Sequence, residues 1–220
     1  VQEAGVDRFS LADTVGCLTP TKMKDLVSRI VSELDIPVHV HCHNDFGMAT
    51  ANALSALEAG AQCVDVAVNG LGERCGLPPL AEVVTALTNI YKVNGNWDLG
   101  MIPELTELVN SFSKLDPNAN QPIVGKNAFT HKAGLHVKAV AIEPKSYEAI
   151  SPESLHRKRH FVIDKYTGKS ALNNRLNHMG ISVSPKELDT ILIEIKSHPE
   201  KLNWEDKELI SLAKSLGIKS

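Results

Sequence analysis

The chain has 220 residues, 43% of them hydrophobic, and a formal net charge of −3. That is enough apolar material for one substantial core or a domain with an appendage. The charge gives no electrostatic case for nucleic acid or an anionic membrane, and no apolar run approaches the roughly 20 residues needed to span a bilayer.

The four cysteines, Cys17, Cys42, Cys63 and Cys75, form no C-x-x-C pair. They read as reduced thiols of a cytoplasmic protein. The chain opens at Val1, already close to a strand and without an initiator Met. We expect a fragment that lacks its N-terminal part.

Residues 7–13 read as a short strand ending in the polar Asp13-Thr14. Thr19 as N-cap and Pro20 at the first helical position then open a helix. Met23, Leu26, Val27, Ile30, Val31 and Leu34 recur along it at helical spacing. A second strand follows, bearing His39-Val40-His41-Cys42-His43-Asn44-Asp45. Side chains alternate along a strand, so the three histidines share one face. Three imidazoles on one buried face are costly unless something binds them. A divalent metal is the usual occupant, and hydrogen-bonded histidines are the bland alternative.

A helix over about 47–59 closes at Gly60, and a strand over 62–68 ends in Asn69-Gly70-Leu71-Gly72-Glu73-Arg74. A third helix runs from Pro78-Pro79 to about Tyr91. This alternation predicts parallel strands in βαβ units. In each unit the polar residues gather at the C-terminal end of the strand, where α/β folds build their sites. Three strands cannot close a barrel, so in a barrel these would be its last part.

After Asn94 the alternation stops. Residues 102–115 read as a helix, and 116–124 as a loop or linker rich in Pro, Asn and Gln. A second histidine cluster, Thr130-His131-Lys132-Ala133-Gly134-Leu135-His136, is followed by Tyr147 and Glu148. Helices are expected over about 168–179, 185–197 and 204–215. Ser184-Pro185-Lys186-Glu187 forms a capping box at the middle one. Leu188 and Ala213 read as core, and the charges between 196 and 208 as a solvated face.

Ala12-Asp13-Thr14-Val15-Gly16, His41-Cys42-His43-Asn44-Asp45 and Asn69-Gly70-Leu71-Gly72-Glu73-Arg74-Cys75-Gly76 resemble the last three barrel units of the homocitrate synthase and 2-isopropylmalate synthase family. These are metal-dependent TIM-barrel enzymes that perform Claisen condensations of acyl-CoA. Phe129 to His136 resembles the subdomain that follows the barrel. The resemblance implies an α/β fold: the C-terminal part of a TIM barrel, its last three βα units, followed by a mostly helical C-terminal region. The expected divisions are 1–94 for the partial barrel, 95–166 for a linker and first subdomain, and 167–220 for a helical second subdomain.

It further implies acetyl-CoA and a 2-oxo acid as substrates, with a divalent metal (Mg, Mn or Zn) held by His41 and His43. Thr14 would contact the oxo-acid carboxylate, and Glu73 and Arg74 would shape the mouth of the site. His136 and Tyr147, eleven residues apart, match a catalytic pair that a neighbouring subunit supplies, which implies a homodimer. His131 is expected to be structural and His39 to orient the metal ligands rather than join them. The Arg-Asp-Gly-like motif of the family's first strand, which carries an acidic metal ligand, has no counterpart here. The 220 residues alone are therefore expected to be inactive and to bind metal weakly.

Two features lean toward homocitrate synthases, which take 2-oxoglutarate. Leu77 stands where isopropylmalate synthases resemble one another in having Asn, and Leu has no donor atom for a metal. The stretch from Thr130 to Ala139 is also closer to the homocitrate form. The alternatives are an isopropylmalate or citramalate synthase, a hydroxymethylglutaryl-CoA lyase with Cys75 near the lyases' loop cysteine, or a C-terminal region that serves only as a dimerisation or regulatory arm.

Overall fold

The computed structural model describes residues 2–132, 139–140 and 142–218. The chain divides into two compact units, Val1–Ala128 and Phe129–Ser220.

In the first unit, β1 (Phe9–Asp13), β2 (Val38–Cys42) and β3 (Cys63–Val64) form a parallel sheet in that order. Phe9 pairs with Val38 and Asp13 with Cys42, while Val40 pairs with Val64. Between β1 and β2 runs α1 (Pro20–Glu33), capped as expected by the Thr19 hydroxyl, which accepts from the Lys22 amide at 3.4 Å. Its Met23 and Val27 are buried against Val38, Val40 and Cys42 of β2 and against Ala49 and Ala56 of α2 (Ala49–Glu58). The small residues of α2 let the two helices approach closely over the sheet. Burial of side chains the size of Val or Met contributes roughly 1.5–3 kcal/mol each, so this face is what holds the unit together.

Two local departures from expectation have clear causes. Helix α2 starts at Ala49 rather than 47, because the Asn44 side-chain oxygen accepts from the Ala49 amide at 3.0 Å and holds the intervening residues in a loop. Strand β3 stops at Val64, with only the Asp65 amide still reaching the Val40 carbonyl at 3.0 Å. The chain then turns into a short 3₁₀ helix, Val68–Gly70, where Asn69 adopts a left-handed φ of 58°. Helix α3 (Leu80–Asn89) follows, then α4 (Ile102–Ser113). The Asn69 side-chain amide donates to the Thr106 carbonyl at 3.2 Å, which ties α4 to this 3₁₀ turn.

The second unit contains two short strands that the sequence did not suggest, β4 (Thr130–His131) and β5 (His160–Phe161), paired in parallel. Helices α5 (Lys169–His178), α6 (Pro185–Ser197) and α7 (Asp206–Ser215) follow. They enclose Leu172, Leu176, Ile191, Ile195 and Leu209, all fully buried, together with the expected Leu188 and Ala213. The Ser184–Glu187 capping box is formed in both directions. The charged stretch between 196 and 208 is more than a solvated face. Lys201 bonds Glu208 at 2.5 Å and lies 4.0 Å from the centre of the Trp204 ring, and Asp206 lies 2.8 Å from Arg175. Among the described residues no helix is long and apolar enough to cross a membrane.

Candidate active site

Three loops meet at the C-terminal ends of β1, β2 and β3, and hydrogen bonds join them. The His43 amide donates to the Asp13 carbonyl at 3.4 Å, and the Asn44 amide to the Gly76 carbonyl at 3.0 Å. Arg74 donates to both carboxylate oxygens of Asp45, at 2.7 and 2.9 Å, and to the Thr14 carbonyl at 2.8 Å. Arg74 thus clasps all three loops, and its bonds hold the Asp45 carboxyl below its ordinary 3.8. The close fit demands glycine at position 16. There φ is +61°, and a Cβ would stand 2.7 Å from an Asp45 carboxylate oxygen and 2.8 Å from the His43 carbonyl.

Asp13 turns into its own loop. Its buried carboxylate accepts from the Cys17 and Leu18 amides, both at 3.1 Å, and so shapes the loop after β1. Thr14 is exposed, and its carbonyl accepts from Arg74. Glu73 is largely exposed and 3.9 Å from Arg74, which is bound instead to Asp45.

His41 and His43 are brought together. Their Nε2 atoms lie 3.3 Å apart, with the rings edge-on at 66°. Asp65 explains the orientation. One of its oxygens is 2.6 Å from His41 Nδ1, and the other is 2.9 Å from His39 Nε2. Burial would raise the Asp65 carboxyl, but the bonds from His41 and His39 prevail and hold it below 3.8. His39 is buried, and its Nδ1 contacts the Ser10 hydroxyl at 2.9 Å, so it braces the site from beneath. A carboxylate on Nδ1 fixes the His41 tautomer and leaves Nε2 with its lone pair outward. Cys42, between the two histidines in sequence, points into the core, and burial pushes its thiol up to about 12, helped by Asp13 and Asp65.

The donor set fits a divalent ion in part. Both Nε2 atoms can reach one ion at metal–nitrogen distances of about 2.0–2.1 Å, and His43 Nδ1 is buried with no partner among the described residues. No group of three His, Cys, Asp or Glu side chains able to hold an ion occurs among those residues.

In the second unit, Tyr147 is partly exposed and ends the turn Pro144–Ser146. His136 lies outside the described residues. The neighbouring Glu148 is buried and accepts from Arg159 at 2.7 Å and from His131 at 3.0 Å. His131 thus anchors the residue next to Tyr147 to the β4–β5 pair.

Asp65, Glu148 and Arg159 escaped the sequence reading. Only Asp65 carried a signal: with β3 parallel to β2, a carboxylate one residue past Val64 must lie beside His41.

Residues 1–109 match the family described as HMGL-like, and residues 123–203 match that described as homocitrate synthase post-HMGL domain-like. The chain belongs to the HMGL-like family and carries the homocitrate synthase type of region behind it. A homocitrate synthase of Sulfurisphaera tokodaii is 43% identical over 98% of this chain and 47% of that protein. A probable 2-isopropylmalate synthase of Methanopyrus kandleri is 44% identical over 90% of this chain and 40% of that one. An HMG-CoA lyase from Acenitobacter baumannii, solved with coenzyme A and 3-methylmalate, is 28% identical over 53% of this chain and 40% of its own, with a TM-score of 0.48. The chain spans about half the length of the curated relatives it matches.

Proposed function

We propose that this chain is part of an acyltransferase that condenses acetyl-CoA with a 2-oxo acid, and that the acid is 2-oxoglutarate, giving homocitrate. The observation that carries this reading is the His41–His43 pair, held by Asp65 at the C-terminal end of a parallel strand in an HMGL-like chain. A hydrogen bond between the two rings would account for their contact without any ion. The carboxylate on the far side of His41 favours ligation, since metal-binding histidines nearly always carry such a partner. We further propose that β1 to β3 with their helices are the last three βα units of a TIM barrel.

A divalent ion held at His41 and His43 would polarise a keto group as a Lewis acid. The chain's own residues would do the rest. Thr14 would orient the acid's carboxylate. Arg74 and Glu73 would border the entrance, Arg74 chiefly by holding the loops. His136 would move the proton at the acetyl methyl, with Tyr147 orienting or sharing that step. Glu148, fixed by Arg159 and His131, would set where Tyr147 stands. The second unit would reach the site of a partner in a homodimer.

Identity to relatives does not choose the acid, because proteins named for either reaction match about equally. The choice rests on Leu77 and on the homocitrate synthase type of residues 123–203. The test is a panel of acetyl-CoA with 2-oxoglutarate, 2-oxoisovalerate or pyruvate, following release of free CoA with and without chelator. It uses the protein with whatever sequence its gene encodes upstream. Chelator-sensitive release with 2-oxoglutarate is expected. Preference for 2-oxoisovalerate would keep the reaction class and overturn the argument from Leu77. No release with any acid would overturn the proposal.

A further inference from the structure

Away from the histidine pair, the second unit holds an open cleft of about 690 Å³. Its wall carries Arg157, Lys158, Arg159 and Arg175 against two carboxylates, Glu153 and Asp206. The whole chain is net acidic, so this concentration of fixed cations is local.

Two of these cations have local roles. Arg175 lies in the last turn of α5, where a cation complements the helix dipole. Arg159 is committed to Glu148 and Glu153. Neither role accounts for the rest. Lys158, next to Arg159 in the chain and away from the helix that carries Arg175, is exposed and has no ion-pair partner among the described residues. Arg175 also lines the cleft, its Nε 2.8 Å from Asp206 but without a well-aligned hydrogen bond among the described residues. Lys158 and the Arg175 guanidinium set two cations on the cleft wall for an incoming oxyanion.

Phe161 and Met179 line the same cleft and give it an apolar side. The volume suits an organic ligand rather than a lone ion. We propose that this cleft binds a phosphorylated small molecule of nucleotide size, its phosphates on Lys158 and Arg175 and its organic body against Phe161 and Met179. Two sources share that chemistry, a free nucleotide and the nucleotide end of coenzyme A. The cleft's charge holds whichever reaction the protein catalyses, so the proposal does not depend on the condensation.

The test is calorimetric titration of the 220-residue chain with ADP, coenzyme A and pyrophosphate at low ionic strength. ADP or coenzyme A is expected to bind below about 1 mM and more tightly than pyrophosphate. Lys158→Glu should weaken binding by about tenfold or more, and Arg175→Gln similarly. Circular dichroism confirms that each variant is folded. Lys158 is on the surface, so Lys158→Glu keeps the test decisive should Arg175→Gln unfold. Equal affinity for ADP and coenzyme A would identify a free nucleotide as the ligand, and tighter coenzyme A would identify the coenzyme. Binding of neither below about 1 mM, pyrophosphate binding as tightly as both, or binding unchanged in a folded Lys158→Glu variant would overturn the proposal.

Discussion

Asp65 lies 2.6 Å from His41 Nδ1, and this one contact decides which imidazole nitrogen faces His43. Its carboxylate also sits beside His39, so a single acid on β3's continuation braces two histidines of β2. Asp65→Asn should therefore keep the fold while loosening the ring. If the pair ligates an ion, apparent affinity for Mn or Zn should fall about 10–100-fold. Asp65→Asn titrated beside His41→Ala measures this. Unchanged affinity in Asp65→Asn would mean that His41 needs no brace.

Gly16 and Gly47 both hold left-handed backbone, but only Gly16 is crowded. Gly47→Ala meets nothing within 4 Å, so it should cost only about 1 kcal/mol, the conformational penalty. Gly16→Ala adds a clash with Asp45 and the His43 carbonyl, and should cost roughly 1–3 kcal/mol beyond that. Urea unfolding of the two variants gives the comparison. Equal losses would show that the loops around Arg74 yield easily.

The parts legible in the sequence were those whose cause is local. Thr19-Pro20 and the Ser184–Glu187 box announce helix starts through bonds spanning three residues, and both occur as read. The apolar spacing from Met23 to Val31 likewise needs no knowledge of the fold. What stayed hidden depends on pairing between distant segments. Arg74 bonds Asp45, 29 positions away, and not the adjacent Glu73. Strands β4 and β5 have two residues each, too short to show any alternation. Asp65 was placed on a longer strand, and its role emerges only once Val64 is paired with Val40.

The cysteines should separate by burial. Cys17 and Cys75 are exposed, whereas Cys42 is buried between the sheet and its helices. In the native protein, iodoacetamide should modify Cys17 and Cys75 promptly and leave Cys42 untouched until denaturant is added. Peptide mapping by mass spectrometry reads this directly. Early labelling of Cys42 would mean that β2 opens readily, and with it the strand that positions His41.

Glu153 should give the second unit a measurable acid limb. The Ser151 hydroxyl and then Arg159 hold its carboxyl down from 4.5 to about 2. A carboxyl lowered on folding adds stability that is fully present above the unfolded value and is lost as pH falls through the folded one. The contribution of Glu153 should thus be complete above about pH 4.5 and gone near pH 2. Glu153→Gln should be less stable than the parent at pH 7, and the two should converge as pH drops through that window. The side chain is mostly exposed, so solvent screening keeps the difference small. Urea midpoints at pH 7, 4 and 2.5 measure it. A gap that stays constant over that range would assign the loss to packing instead of charge.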